Sequence, residues 1–166
     1  SAAFQYMYAA NGDTYLDAYN NIPHVGHCHP EVTQAAARQI NKLNTNTRYL
    51  YEALMGYSER LLKYFPNALD KVIFVNSGSE ASDLAIRIAQ NHTSNKHILV
   101  LADGYHGHTR MGIDISAYKF DGKGGDGVNE NITVLPLPKI YQGLQSSGKA
   151  YASEAIAIID NLLAQG

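Results

Sequence analysis

The stretch Lys71–Asn91, KVIFVNSGSEASDLAIRIAQN, changes character in its middle, and that change decides the fold. Val72–Val75 is a compact apolar, β-branched run of the kind that forms a buried parallel strand. From Ser79 onward Ala81, Leu84, Ala85 and Ile88 recur at helical spacing. Between them lies Asn76-Ser77-Gly78-Ser79, so the stretch predicts a strand, a tight turn and a helix N-terminus. The first N–H groups of a helix have no partner within it, and together with the helix dipole they favour an anion. Gly78 allows close approach to the backbone, and the Ser77 and Ser79 hydroxyls add hydrogen-bonding capacity. The same residues also read as a cap: Ser79 followed by Glu80, or Ser77 with Glu80 three positions on as a capping box. One helix end can serve both purposes, and the pattern alone does not choose.

Working outward, HILVLADGYHGHT (His97–Thr109) predicts a second strand at Ile98–Leu101 followed by a Gly-rich turn. In a parallel sheet YHGH then opens on the same edge as NSGS. An aromatic residue there, Tyr105, can stack on a planar cofactor whose phosphate rests at Ser79; the plainer alternative is rim packing, common in a chain with 12 tyrosines. His106 and His108 can likewise be satisfied by backbone contacts. NITVLPL (Asn131–Leu137) reads as a further strand, and alternating strands and helices predict an α/β fold with a mainly parallel sheet. QYMYAANGDTYLDAYNN (Gln5–Asn21) predicts a hairpin around Asn11-Gly12. Residues 30–43 and 50–65 look helical, the second ending before Pro66. FDGKGGDGVNEN (Phe120–Asn131) reads as a mobile surface loop; it lacks Gly-Lys-Ser/Thr and so is no phosphate loop. SEAIAIIDNLLAQG (Ser153–Gly166) reads as an amphipathic helix ending in glycine.

The length of 166 residues fits one domain, with 45% hydrophobic and 17% charged residues as in ordinary globular chains. A net charge of -2 without a basic run argues against a nucleic-acid binder. A single cysteine excludes an intramolecular disulfide and fits a reducing cytoplasm. The start, SAAFQYMYAANG, has neither the basic region nor the apolar run of a signal peptide, and no apolar stretch reaches the length of a membrane span. The missing initiator Met points to a tag scar or an internal fragment. HVGHCHP (His24–Pro30) gathers His24, His27, His29 and Cys28, which suggests a metal. Consecutive residues alternate sides in an extended backbone, however, and no second cysteine exists, so turn and packing roles are expected and metal is not. Pro30 suits the first turn of a helix.

Taken in order, VGHCHP, LNTNTRYLYE, FVNSGSEASDLAIRIA, ADGYHGHT and ISAYKF resemble the N-terminal part of a class III pyridoxal-phosphate aminotransferase. The resemblance runs over nearly the whole chain. Within that family it is strongest to the ethanolamine-phosphate and phosphohydroxylysine phospho-lyases, with ISAYKF where that branch reads ISPYKF. It implies a partial large domain of the fold type I, aspartate aminotransferase-like architecture: an N-terminal hairpin segment over 1–29 and an incomplete cofactor-binding domain over 30–166. It implies pyridoxal 5'-phosphate as cofactor, with Gly78 and Ser79 on its phosphate and Tyr105 on its ring. HVGHCHP is then a helix entry near the active site, without metal.

Transaminases of the family often carry arginine at the position of His108. A histidine cannot offer a substrate carboxylate the bidentate guanidinium fork, which fits a phospho-lyase and makes His108 a substrate-binding candidate. The cofactor-holding lysine and the acidic partner of the pyridine nitrogen are expected beyond Gly166, so no catalytic residue is assigned. Lys71, Lys96, Lys119, Lys123 and Lys139 are expected on surfaces or loops, with none at the NSGS and YHGH edge. The resemblance further implies an amine or phospho-amine substrate and, at full length, a homodimer with NTNTRYLYE at its interface. The 166 residues alone are expected to be catalytically silent. Two other readings compete: a truncated, non-catalytic binding module of the same fold, and a Rossmann dinucleotide binder, the latter weakened by the absence of G-x-G-x-x-G.

Overall fold

The computed structural model describes residues 1–19, 23–139, 141 and 147–164. They form two compact units, Ser1–Lys71 and Val72–Gly166.

The first unit opens with a three-stranded antiparallel sheet of β1 (Ala2–Ala3), β2 (Tyr6–Tyr8) and β3 (Thr14–Leu16), in that order. β2 and β3 are the expected hairpin, registered as Tyr6↔Leu16, Met7↔Tyr15 and Tyr8↔Thr14. Asn11-Gly12 sits in its turn: Gly12 has φ +93°, and the Asp13 N–H donates to the Asn11 side-chain oxygen at 3.2 Å. HVGHCHP docks on the turn between β1 and β2 through an isolated bridge. Phe4 and His27 exchange both backbone hydrogen bonds at 2.8 Å, and His27 Nε2 lies 2.6 Å from Asp17 Oδ2. Gly26 makes this approach possible, since a Cβ there would lie 2.7 Å from Phe4 Cα. Pro30 then occupies the first turn of α1 (Pro30–Lys42), and α2 (Glu52–Leu62) follows and ends before Pro66. Neither helix has a buried residue.

In the second unit α3 (Gly78–Thr93) leads to β4 (Ile98–Leu101), two short helices α4 (Arg110–Asp114) and α5 (Ala117–Phe120), β5 (Ile132–Leu135) and α6 (Gly148–Ala164). β4 and β5 pair in parallel, Ile98↔Ile132 through Leu101↔Leu135, and α4 and α5 supply the crossover that parallel pairing requires. Val100, Ile115, Ala117, Phe120 and Ile132 form the buried core, with Ile86, Ile98, Met111 and Val134 packed on it. Phe120–Asn131 connects α5 to β5 and contains no helix or strand beyond Phe120.

One element departs from expectation. Val72–Val75 forms no strand, and Ile73 remains 63% exposed. A β-branched run supplies a pleated surface, but a strand exists only where a neighbour completes its hydrogen-bond ladder. Among the described residues β4 pairs with β5 alone. The final glycine of the predicted C-terminal helix lies outside the described residues.

Candidate functional site

Ser77 is the N-cap of α3, in extended backbone at φ -155° and ψ 160°. Its Oγ accepts the Glu80 N–H at 3.1 Å, while the Glu80 carboxylate accepts the Asn76 N–H at 2.6 Å. Of the two caps read from sequence the Ser77–Glu80 one forms, as a variant of the capping box in which the Glu80 carboxylate takes the N–H of Asn76 rather than that of Ser77. It uses the third N–H of the helix and leaves those of Gly78 and Ser79 pointing out of its end. A Cβ at Gly78 would meet no atom within 4 Å, so this end of the helix is open.

Against it lies the YHGH turn. Ser79 Oγ accepts the His108 N–H at 3.0 Å. Gly107 is buried against the same serine with φ +132°, where a Cβ would lie 2.7 Å from Ser79 Oγ. The turn is held from behind by Ser116, which is 0% exposed. Ser116 Oγ accepts the His106 N–H at 2.8 Å and donates to the Gly112 carbonyl. The Tyr118 N–H donates to the Gly104 carbonyl at 3.0 Å, so α5 and the turn share one frame. Thr109 caps α4 by accepting the Gly112 N–H at 2.9 Å.

Together these residues surround an open hollow of about 350 Å³ lined by Gly78, Ser79, Ser82, Tyr105, His106 and Gly107. Tyr105 is 48% exposed and meets His108 edge-on, with ring centroids 5.3 Å apart. The expected convergence of the NSGS and YHGH turns is therefore formed, with Gly78, Ser79, Tyr105 and His108 at one junction. The expectation that no lysine lies there is corrected: Lys119 Nζ sits 5.7 Å from the Tyr105 ring centroid. Lys139 Nζ pairs with Asp103, in the turn after β4, at 2.9 Å. Both flank the Gly-rich loop in sequence, but short α5 folds Lys119 back onto Tyr105, and pairing of β4 with β5 brings Lys139 beside Asp103.

Sequence reasoning missed Gly107 and Ser116. In sequence Gly107 shows only as the spacer between His106 and His108, and its reason for being glycine is the Ser79 contact from 28 positions away. A buried serine between Ile115 and Ala117 leaves no periodic signal. In the first unit Asp17 is held below the ordinary carboxylate range by its hydrogen bond to His27. Among the described residues no three His, Cys, Asp or Glu side chains converge as metal donors, and no helix is long and apolar enough to cross a membrane.

A protein of Drosophila melanogaster described as alanine--glyoxylate aminotransferase 2-like is 39% identical over 170 residues, covering 98% of this chain and 34% of that protein. Ethanolamine-phosphate phospho-lyase homolog 1 of Caenorhabditis elegans is 34% identical, covering 97% of this chain and 37% of that protein. Among solved structures, a phospholyase from Arthrobacter in complex with phosphoethanolamine matches with a TM-score of 0.85 and 33% identity, over 99% of this chain and 38% of that one. A taurine:2-oxoglutarate aminotransferase of Bifidobacterium kashiwanohense in complex with PLP and glutamate shares the fold at a TM-score of 0.83 and 20% identity, over 99% of this chain and 39% of that one. The chain thus spans about a third of the length of the proteins it matches. The sequence pattern described as aminotransferase class-III matches residues 2–164. With that match across almost its entire length, and the fold of PLP-dependent transferases beneath it, the chain belongs to the class III aminotransferase family.

Proposed function

We propose that this chain supplies the phosphate-holding part of a pyridoxal-phosphate enzyme that acts on a phospho-amine as a phospho-lyase. The observation that carries the reading is the junction of the α3 N-terminus with the YHGH turn. The donor set there suits the cofactor. Two N–H groups at Gly78 and Ser79, reinforced by the helix dipole and by the Ser79 hydroxyl, fit a phosphate. Half-exposed Tyr105 on the same hollow fits a planar ring. When bound, pyridoxal phosphate supplies the electron sink on which the chemistry of this family depends.

The chain's own residues bind and orient. Gly78 and Ser79 take the phosphate end, and Gly107 lets the turn close on Ser79 without a side chain between them. Tyr105 limits the position of the ring. His108, fixed to Ser79 through its own backbone N–H, faces Tyr105 and presents an imidazole to substrate. An imidazole donates singly, which suits a substrate gripped elsewhere by its phosphate rather than by a carboxylate fork. The likeness to a phospho-lyase homolog and to a phospholyase structure supports this branch. The 39% identity to the aminotransferase 2-like protein favours transamination as the second reading.

The same proposal takes 1–29 as an N-terminal segment, 30–166 as part of the cofactor-binding domain, a homodimeric whole protein and a cytoplasmic location. It also takes the 166 residues alone as catalytically silent. Borohydride reduction with pyridoxal phosphate, followed by peptide mapping, tests that last point: one lysine modified stoichiometrically, with turnover, would contradict it. The branch is tested by giving the protein that carries this chain phosphoethanolamine and, separately, an amino donor with a keto acid. Phosphate release from the first is expected. Rapid transamination without phosphate release from any phospho-amine would replace phospho-lyase by aminotransferase.

A further inference from the structure

Tyr105 is exposed enough to meet a ligand, so something must fix its ring. Three groups surround it. His108 meets it at 5.3 Å between centroids and an interplanar angle of 66°, and Tyr118 meets it edge-on at 6.1 Å and 84°. The Lys119 ammonium lies 5.7 Å from the Tyr105 centroid and 5.5 Å from that of Tyr118. A cation within about 6 Å of a ring centroid is attracted by the ring quadrupole. One ammonium therefore bridges both rings. Among the described residues Lys119 joins no ion pair, so no carboxylate competes for it. Its helix is tied to the same turn as Tyr105 through the Ser116–His106 and Tyr118–Gly104 hydrogen bonds.

We infer that Lys119 is a positioning residue: with Tyr118 it clamps the Tyr105 ring, and so sets the seat of the cofactor ring while leaving the phosphate end at Ser79 untouched. The inference rests on the reading that Tyr105 stacks on pyridoxal phosphate. A ring held in advance loses less freedom when a ligand stacks on it, so the clamp acts on affinity for the ring and not on affinity for phosphate.

The test uses the protein that carries this chain, stripped of cofactor, with Lys119→Met, Lys119→Arg, Tyr105→Leu and the Tyr105→Leu/Lys119→Met pair. Pyridoxal phosphate and inorganic phosphate are titrated separately. Lys119→Met should weaken pyridoxal phosphate by about two- to fivefold and leave inorganic phosphate unchanged. Lys119→Arg should restore binding, because a guanidinium also stacks on aromatic faces. In the Tyr105→Leu background Lys119→Met should add nothing. Independently of any ligand, the Lys119 ε-methylene protons should be shifted upfield by the rings and return to ordinary positions in Tyr105→Leu. An equal loss of inorganic phosphate affinity, a loss that persists without Tyr105, no rescue by arginine or an unshifted lysine resonance would each overturn the inference. If Tyr105→Leu weakens pyridoxal phosphate and Lys119→Met does not, this inference fails alone. If Tyr105→Leu itself changes nothing, the stacking reading fails and takes the inference with it.

Discussion

At Gly107 the backbone has φ +132° and a Cβ would overlap Ser79, so both conformation and space demand glycine. Gly107→Ala should therefore destabilise the second unit by about 1–3 kcal/mol, by strain and by forcing Ser79 away from the His108 N–H. A thermal melt checks this, and a variant as stable as the parent would show that the contact is looser than described. Gly78 is the counterexample. It has no atom near its missing Cβ, so Gly78→Val should leave the melt little changed while weakening retention of pyridoxal phosphate. Unchanged retention would count against its role. Asp17 allows a pH prediction. Its carboxyl is held below the ordinary value of about 3.9 by the His27 hydrogen bond. A depressed carboxyl stabilises the fold above its unfolded value, and the contribution is lost as pH falls through the folded one. Protection of the Phe4 and His27 amides, relative to their intrinsic exchange rates, should accordingly fall below about pH 4, and Asp17→Asn should flatten that response.

At the scale of elements, α3 is where local sequence and structure agree most closely. Ser77 and Glu80 are legible as a cap because they sit three apart before an apolar period, and the structure forms it with the Glu80 carboxylate shifted by one residue to the Asn76 N–H. Ser77→Ala should cost about 0.5–2 kcal/mol, read as a lower unfolding midpoint in denaturant. No change would mean that the helix end is held by the Gly107 contact instead. The hairpin, α1, α2, β4 and β5 were legible for similar reasons: each is specified by periodicity or by turn residues close in sequence. Val72–Val75 has the residues of a strand and forms none, because a strand depends on a neighbour that its own residues cannot specify. The Lys119 contact leaves no mark in the sequence, because its partner ring belongs to a different turn. The meeting of NSGS with YHGH is the outcome that parallel strands opening on one edge would give, yet of those two strands only β4 forms, and the contact is made by Gly107 and the His108 N–H against Ser79. The Gly107–Ser79 fit and the Ser116 hydroxyl could not be foreseen, since they concern side-chain packing. Amide exchange gives the strand a direct check: Val72–Val75 should exchange much faster than Val100 or Val134 in this chain. Comparable protection would show a ladder that the structure lacks.

At the scale of the whole molecule, the chain matches class III aminotransferases end to end while spanning about a third of their length. α1, α2 and α6 bury no residue, and the core lies around β4, β5 and the two short crossover helices. That core positions the junction of α3 with YHGH, and the central claim is that this junction holds the phosphate of pyridoxal phosphate. The most direct measurement is a crystal structure of the protein that carries this chain, with the cofactor bound. The phosphate should lie within hydrogen-bonding distance of the Gly78 and Ser79 N–H groups, with the ring against Tyr105. A phosphate seated elsewhere, with Ser79 still engaged only with His108, would contradict the account.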